Sequence, residues 1–291
     1  MSDRVYRQFN QAELDWQYNN RDRSEHSFAG YLDFYKRQSA AVRAETNALL
    51  DVSFGGSAAE TLDILRPHDR AEPMPVQIFI HGGYWRMLHK DDFSFVAGPV
   101  IDAGGMAVIV NYELMPAVTM DELVRQCRAA VAWCWRHIAE YGGDPHRLFV
   151  SGHSAGGHLV AALMSTDWDA EFSVPADVLK GGVAISGIFD LEPIRLGFLN
   201  DVLQLDEAAV RRNSPLFHVP GKAGSLVVAY GGLESEEFAR QSAEYVTAWR
   251  NNGLTADLVE IDGHHHMSVV ASLAHGDREL TMLMLQQMGL A

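Results

Sequence analysis

The sequence predicts an α/β fold, a mostly parallel eight-stranded sheet with helices on both faces. Three observations carry this reading. Eight short apolar, β-rich runs recur along the 291 residues. The first two follow one another with no helix between them. Most of the later ones are separated by longer segments of helical spacing.

The elements follow in order. Residues 1 to about 45 are aromatic-rich and helix-like, and suit an arm packed over the domain. "ALLDVSF" and "ETLDILR" form an antiparallel edge hairpin with "GGSAA" at its turn. "VQIFIH" precedes a helical segment from Asp92 to Ala103. "MAVIVNY" precedes another from Asp121 to Tyr141, where "TMDEL" supplies a start signal: Thr119 caps and Glu122 stands three residues on. "RLFVSG" leads into a helix from Ala155 to Met164. "GVAISG" is followed by residues 188–220, which break the rhythm. An insert there suits a lid or pocket wall, or a surface excursion without a binding role. "SLVVAYG", a helix from Glu236 to Asn251 and "TADLVEI" complete the series. There is no internal repeat or low-complexity tract, so 1–291 reads as one domain.

Composition narrows the class. Apolar residues make up 47% of the chain, enough for a sizeable core. The formal charge is −15, from 38 acidic and 23 basic side chains, and such a surface repels nucleic acid and anionic lipid. The polar N-terminus lacks a signal-peptide core, and no run nears the roughly 20 apolar residues that span a bilayer. A cytoplasmic location is expected. Cys127 and Cys134 lie seven apart on one helix, about 10 Å along its axis. A disulfide needs α-carbons within about 7 Å, so both are expected to be free core thiols.

The chemistry centres on "FVSGHSAGGHL". Strand, sharp turn and helix follow one another around Ser154, with Gly152 and Gly156 where side chains would collide. This is the context of a nucleophilic serine, placed at a helix N-terminus that favours developing negative charge. An oxyanion needs donors. "IFIHGGYW" places Gly82 and Gly83 just beyond an earlier strand, so their N–H groups can converge with that of Ala155 on a carbonyl oxygen.

A serine hydroxyl also needs a base. "IDGHHHMSVV" offers His264, His265 and His266 after the last strand. Three adjacent histidines point in different directions and no Cys or carboxylate cluster joins them, which argues against a metal. The spacing does not choose among the three. The orienting acid is read as Glu234, the first acid beyond "SLVVAYG". Asp190, after "AISGIF", is its chief competitor, while Glu236 and Glu237 suit the first turn of a helix. The chain order is then serine, acid, histidine.

With these residues in hand, the chain resembles an α/β-hydrolase, and more narrowly the kynurenine formamidase (arylformamidase) group and its carboxylesterase relatives. "HGGYW" at 81–85, "GHSAGGHL" at 152–159, "ESEEFARQS" at 234–242 and "GHHHMS" at 263–268 carry the resemblance. It implies Ser154 as nucleophile, Glu234 as acid and His266 as base, because the family pattern has histidine, a bulky apolar residue, then serine. Formamidases commonly use aspartate where this chain has Glu234.

The expected reaction is acyl transfer through an acyl-enzyme on a small, aromatic formamide, amide or ester, with no metal or organic cofactor. The rival enzymatic reading is a carboxylesterase or aryl-amidase of aromatic-compound degradation. A non-catalytic binding protein on a hydrolase fold is the alternative of another class. Tyr84, Trp85 and Phe198 suggest an aromatic-walled pocket, although they also suit a core. Arg86, His89 and Lys90 read as a solvated basic loop or as partners for a substrate carboxylate. Related hydrolases form dimers, so a homodimer stays open.

Overall fold

The computed structural model describes residues 4–23, 28–69 and 73–291. The strands are β1 (Asn47–Ser53), β2 (Thr61–Arg66), β3 (Met74–Ile80), β4 (Met106–Val110), β5 (Gly143–His153), β6 (Leu179–Ile185), β7 (Ser225–Gly231) and β8 (Ala256–Ile261). They form one sheet in the order β1-β2-β4-β3-β5-β6-β7-β8. β1 pairs antiparallel with β2, and β2 with β4, while every other pair is parallel. The expected edge hairpin and the eight strands are therefore present.

The arm contributes α1 (Gln11–Tyr18), α2 (Asn20–Arg23) and α3 (Phe28–Glu45); the parts of the expected arm at 1–3 and 24–27 lie outside the described residues. Next come α4 (Ala97–Asp102), α5 (Met120–His137), α6 (Ala155–Met164) and α7 (Trp168–Phe172). The insert holds α8 (Glu192–Leu196), α9 (Asn200–Leu203) and α10 (Glu207–Asn213). α11 (Glu236–Asn251), α12 (His266–Ala271) and α13 (Glu279–Gln287) complete the set.

The central strands are buried on both faces because helices cover both. Every residue of β3 and β4 is buried, and their side chains alternate between two apolar layers. Val76, Ile78 and Ile80 face the layer packed under α5, α6 and α11. Phe79 and Ile109 face the layer that holds Tyr35 of α3, Val100 of α4 and Leu285 of α13. Cys127 and Cys134 are free and buried on α5, whose N-cap is Thr119, accepting from Glu122 N–H at 3.2 Å. Among the described residues no helix is long and apolar enough to cross a membrane.

Two boundaries differ from expectation. The helix expected over 92–103 is only α4, preceded by short 3₁₀ turns at Lys90–Asp92 and Ser94–Val96. Pro99 falls in the first turn of α4, the one place where its missing N–H and its ring are tolerated, so a regular helix cannot run back to Asp92. The Lys90 ammonium is buried and held by Asp51 at 2.8 Å, Asp63 at 2.7 Å and Asp91 at 3.0 Å, which ties the loop after β3 to the first hairpin. The second helix stops at His137 and tightens to a 3₁₀ turn closed by Gly142 at φ +89°. The arm is fastened to the elements that will carry the site. Tyr18 Oη donates to Glu237 of α11 at 2.9 Å, and Tyr35 Oη to the Met267 carbonyl of α12 at 2.6 Å.

Burial of neutral histidines makes stability depend on pH. Desolvation pushes both His81 and His158 from 6.5 down to about 4. A depressed imidazole leaves stability intact above 6.5 and removes it as pH falls toward 4. The gap corresponds to roughly 3 kcal/mol per histidine. Glu234, whose carboxyl is raised by burial, works in the opposite sense between about 7 and 4.5. We expect the unfolding free energy, measured by urea titration, to decline from pH 6.5 to 4. Its slope should be shallower in His158→Asn. An identical slope in that variant would contradict the assignment.

Candidate active site

The sheet order places the chemistry. β3 lies between β4 and β5, so the chain leaves β3 to one side and returns on the other, opening a crevice at the strand ends. Ile80 at the end of β3 pairs with Gly152 in β5. Two motifs about 70 residues apart in sequence thereby meet: the loop "HGGYW" and the turn at Ser154.

Ser154 occupies that turn at φ +59° and ψ −118°, a conformation L-residues rarely adopt, and is the residue before α6. The turn exists because its neighbours have no side chains. A Cβ on Gly152 would stand 2.5 Å from the Gly156 carbonyl oxygen, and one on Gly156 only 2.0 Å from that of Ile80. Ser154 N–H donates to the Ile185 carbonyl at 2.8 Å, which pins the turn to β6.

The candidate oxyanion donors sit opposite. A Cβ on Gly82 would approach the Ser154 Cβ to 3.2 Å, so the loop backbone lies directly against the serine. Gly83 has φ +110°, where a Cβ would meet the Met87 carbonyl at 2.1 Å. No hydrogen bond among the described residues uses the N–H groups of Gly82, Gly83 or Ala155, which leaves all three able to donate to a bound oxygen.

The histidine and acid come from the far strands. Ser154 Oγ donates to His266 Nε2 at 2.9 Å, and His266 Nδ1 donates to Glu234 Oε1 at 3.1 Å. Glu234 follows β7 and His266 opens α12, and all three side chains are buried. The structure thus brings together Ser154, His266 and Glu234. It does not bring in the neighbours. His265 Nδ1 accepts from Met267 N–H at 3.2 Å and its ring meets Tyr31 edge-on. His264 Nδ1 contacts Ser268 Oγ at 3.3 Å. Asp190 accepts from Tyr6 Oη at 3.0 Å and from Glu192 N–H at 3.0 Å, well inside the insert.

Electrostatics favour a neutral base. Burial, with His265 as a second cause, holds the His266 imidazole well below its ordinary value. Burial also raises the Glu234 carboxyl, opposed by the Ser186 hydroxyl, which donates to the same Oε1 at 2.6 Å. A neutral imidazole with its lone pair on Ser154 Oγ can take that proton, and Glu234 can stabilise the imidazolium that results. Ser186 is a residue the sequence reading missed. It follows β6 with φ +49°, and nothing in "AISGIF" points to it as a partner of the acid.

Ser154 and His266 open into a cavity of about 250 Å³. Tyr84 and Phe198 line it as expected. Trp85 does not, and this corrects the reading of Trp85 as pocket wall. Its indole is fully buried in the core, where Nε1 donates to His158 Nδ1 at 3.1 Å while His158 Nε2 donates to the Asn213 carbonyl at 2.7 Å. "HGGYW" and "GHSAGGHL" are therefore linked through their last aromatic and last histidine, which ties the loop after β3 to α6. Tyr84 thus faces the cavity while Trp85 faces the core. The other wall is the arm: Tyr18, Asn20, Phe28 and Tyr35 all line the cavity. Tyr84 Oη joins the two walls, accepting from Asn20 Nδ2 at 2.9 Å and donating to the Tyr18 carbonyl at 2.6 Å.

Comparison with known proteins agrees with this architecture. Residues 62–192 match the BD-FAE family, a span that includes "HGGYW" and Ser154 but ends before Glu234 and His266. A kynurenine formamidase of Salmo salar is 33% identical over 99% of this chain and 96% of its own length. That of Danio rerio is 33% identical over 89% of this chain and 88% of its own. The solved structure of a candidate thioesterase from Silicibacter sp. TM1040 superposes with a TM-score of 0.80 at 28% identity, covering 93% of this chain and 98% of that one. With this strand order, and with that identity held from end to end, the chain belongs to the kynurenine formamidase family of α/β-hydrolases and is a hydrolase of the formamidase and esterase type.

Proposed function

We propose that this hydrolase cleaves a small aryl formamide, with N-formylkynurenine as the reference substrate, through an acyl-enzyme on Ser154. His266 takes the Ser154 proton as Oγ attacks the formyl carbon. The oxygen of the tetrahedral intermediate receives N–H groups of Gly82, Gly83 and Ala155. His266 then gives its proton to the leaving arylamine, and a water attacks the formyl-enzyme by the same route. Glu234 keeps the proton of the resting imidazole on Nδ1 and stabilises the charged form.

The observation that carries this reading is the unbroken chain Ser154–His266–Glu234, at 2.9 and 3.1 Å, facing a cavity with aromatic walls. The names of the Salmo salar and Danio rerio relatives support the formamide as substrate. Two buried, unpaired cysteines suit a reducing, cytoplasmic setting.

The test is a panel of N-formylkynurenine, short-chain aryl esters and acetanilides. The expected result is kcat/KM for the formyl substrate at least about 10-fold above the esters, equivalent to about 1.4 kcal/mol in the transition state. A preference below that, or one reversed toward esters, would instead identify a carboxylesterase or aryl-amidase using the same machinery.

A further inference from the structure

We infer that Arg86, from the loop after β3, and Arg21, from α2, form an anion subsite at the mouth of the cavity, which selects substrates bearing a carboxylate. The inference rests on the hydrolase reading above and adds the charge of the substrate to it.

The first observation is a local reversal of charge. The chain carries a net −15, yet none of the described residues lining the cavity is acidic and two are arginines. They come from elements 65 positions apart in sequence and face the same space. Two cations lining one mostly apolar cavity give it a positive potential that favours an anionic ligand.

The second observation concerns Arg86 itself. "RMLHK" carried three basic residues, and the structure separates them. Lys90 is buried among carboxylates, and His89 caps a turn beside Asp91 at 3.3 Å. Only Arg86 of the three lines the cavity. Its backbone is held, since Arg86 N–H donates to the Gly83 carbonyl at 3.1 Å in the turn that carries Tyr84 and Trp85 at positive φ. Most arginines here meet a carboxylate or a carbonyl, as Arg125, Arg128, Arg212 and Arg240 do. The Arg86 guanidinium has no ion pair and no hydrogen bond among the described residues. Arg21 is placed by the Phe28 ring, 5.9 Å below its guanidinium, and Phe28 is itself part of the wall.

A planar guanidinium on a held backbone, without a partner among the described residues, suits a carboxylate, which it can bind with two parallel hydrogen bonds. Tyr84 and Phe198 line the same cavity as Arg86 and Ser154, so the favoured substrate joins an aromatic ring and a carboxylate to its scissile carbonyl. Both arginines are solvent-exposed, so salt should weaken the effect.

The test uses a pair of esters alike except in charge, 4-acetoxybenzoate and its methyl ester, alongside N-formylkynurenine and formanilide. Wild type, Arg86→Gln, Arg21→Gln and the double variant are compared by the ratio of kcat/KM for the anionic to the neutral member. The expected result is a fall of that ratio by about 10-fold in Arg86→Gln and further in the double variant, carried by KM for the anion. The wild-type ratio should also fall as sodium chloride rises from low to 0.5 M. Fluorophosphonate labelling of Ser154 at wild-type rate shows that each variant is folded. An unchanged ratio in labelled variants overturns the subsite. Should N-formylkynurenine fail as a substrate while the ester ratio still falls, the subsite stands and the formamide reading fails.

Discussion

Replacing Ser154 by alanine is expected to lower kcat about a millionfold on any substrate the enzyme accepts, and to abolish fluorophosphonate labelling. The size follows from the proposed roles, since neither His266 nor the backbone donors of the loop after β3 can act on a nucleophile that is missing. His266→Ala is expected to cost as much, and Ser154→Ala/His266→Ala no more than either alone, because the two act as one unit. His264→Ala and His265→Ala are the controls. Their rings contact Ser268 Oγ and Met267 N–H. Loss of the His265 cap should cost about 1 kcal/mol of stability and leave kcat within about 10-fold. Similar collapse in all three histidine variants would remove the distinction the structure draws. The pH profile gives a second check. The base works only when neutral, so kcat/KM falls as pH drops through the His266 value, and burial places that value below 6.5. An acid limb centred above 6.5 would contradict a buried base.

Glu234→Gln is expected to reduce kcat by about 10⁴-fold while leaving KM and fold intact. An amide in place of the carboxylate neither stabilises the imidazolium nor fixes the Nδ1 proton. Glu234→Asp should fall between wild type and Gln. Shortening by one methylene withdraws the oxygen that accepts from His266 at 3.1 Å and from Ser186 at 2.6 Å. Ser186→Ala is expected to cost about 10-fold, near 1.4 kcal/mol, and to raise the Glu234 carboxyl further, because its hydroxyl opposes the effect of burial. Asp190→Asn, in contrast, breaks a contact to Tyr6 remote from the serine and should leave kcat within about threefold. Steady-state kinetics from pH 5 to 9 on one aryl ester separate these four variants. A collapse in Asp190→Asn with a normal Glu234→Gln would exchange the two acids.

What could be read without coordinates was whatever local chemistry dictates. A serine between glycines that permit so tight a turn, a threonine followed by a carboxyl three residues on, and apolar runs of strand length act over a few residues, so "RLFVSGHSAGG" and "TMDELVRQC" describe their own conformations. Chain order then supplied serine, acid and histidine, and family resemblance chose His266 where spacing left three candidates. Other features depended on contacts between distant segments. Lys90 is buried, not solvated, because Asp51 and Asp63 on the first hairpin draw it in. Trp85 turned inward because His158 offers its indole a partner. Ser186 reached the acid only through the adjacency of β6 and β7, and the arm became one wall of the cavity because Tyr18 and Tyr35 find acceptors on α11 and α12. The sequence by itself determined the strands, the turn at Ser154 and the set of reactive groups. The tertiary structure alone decided which side chains face one another, because direction in a turn and partnership across a sheet are settled by burial and hydrogen-bond satisfaction between residues far apart in the chain.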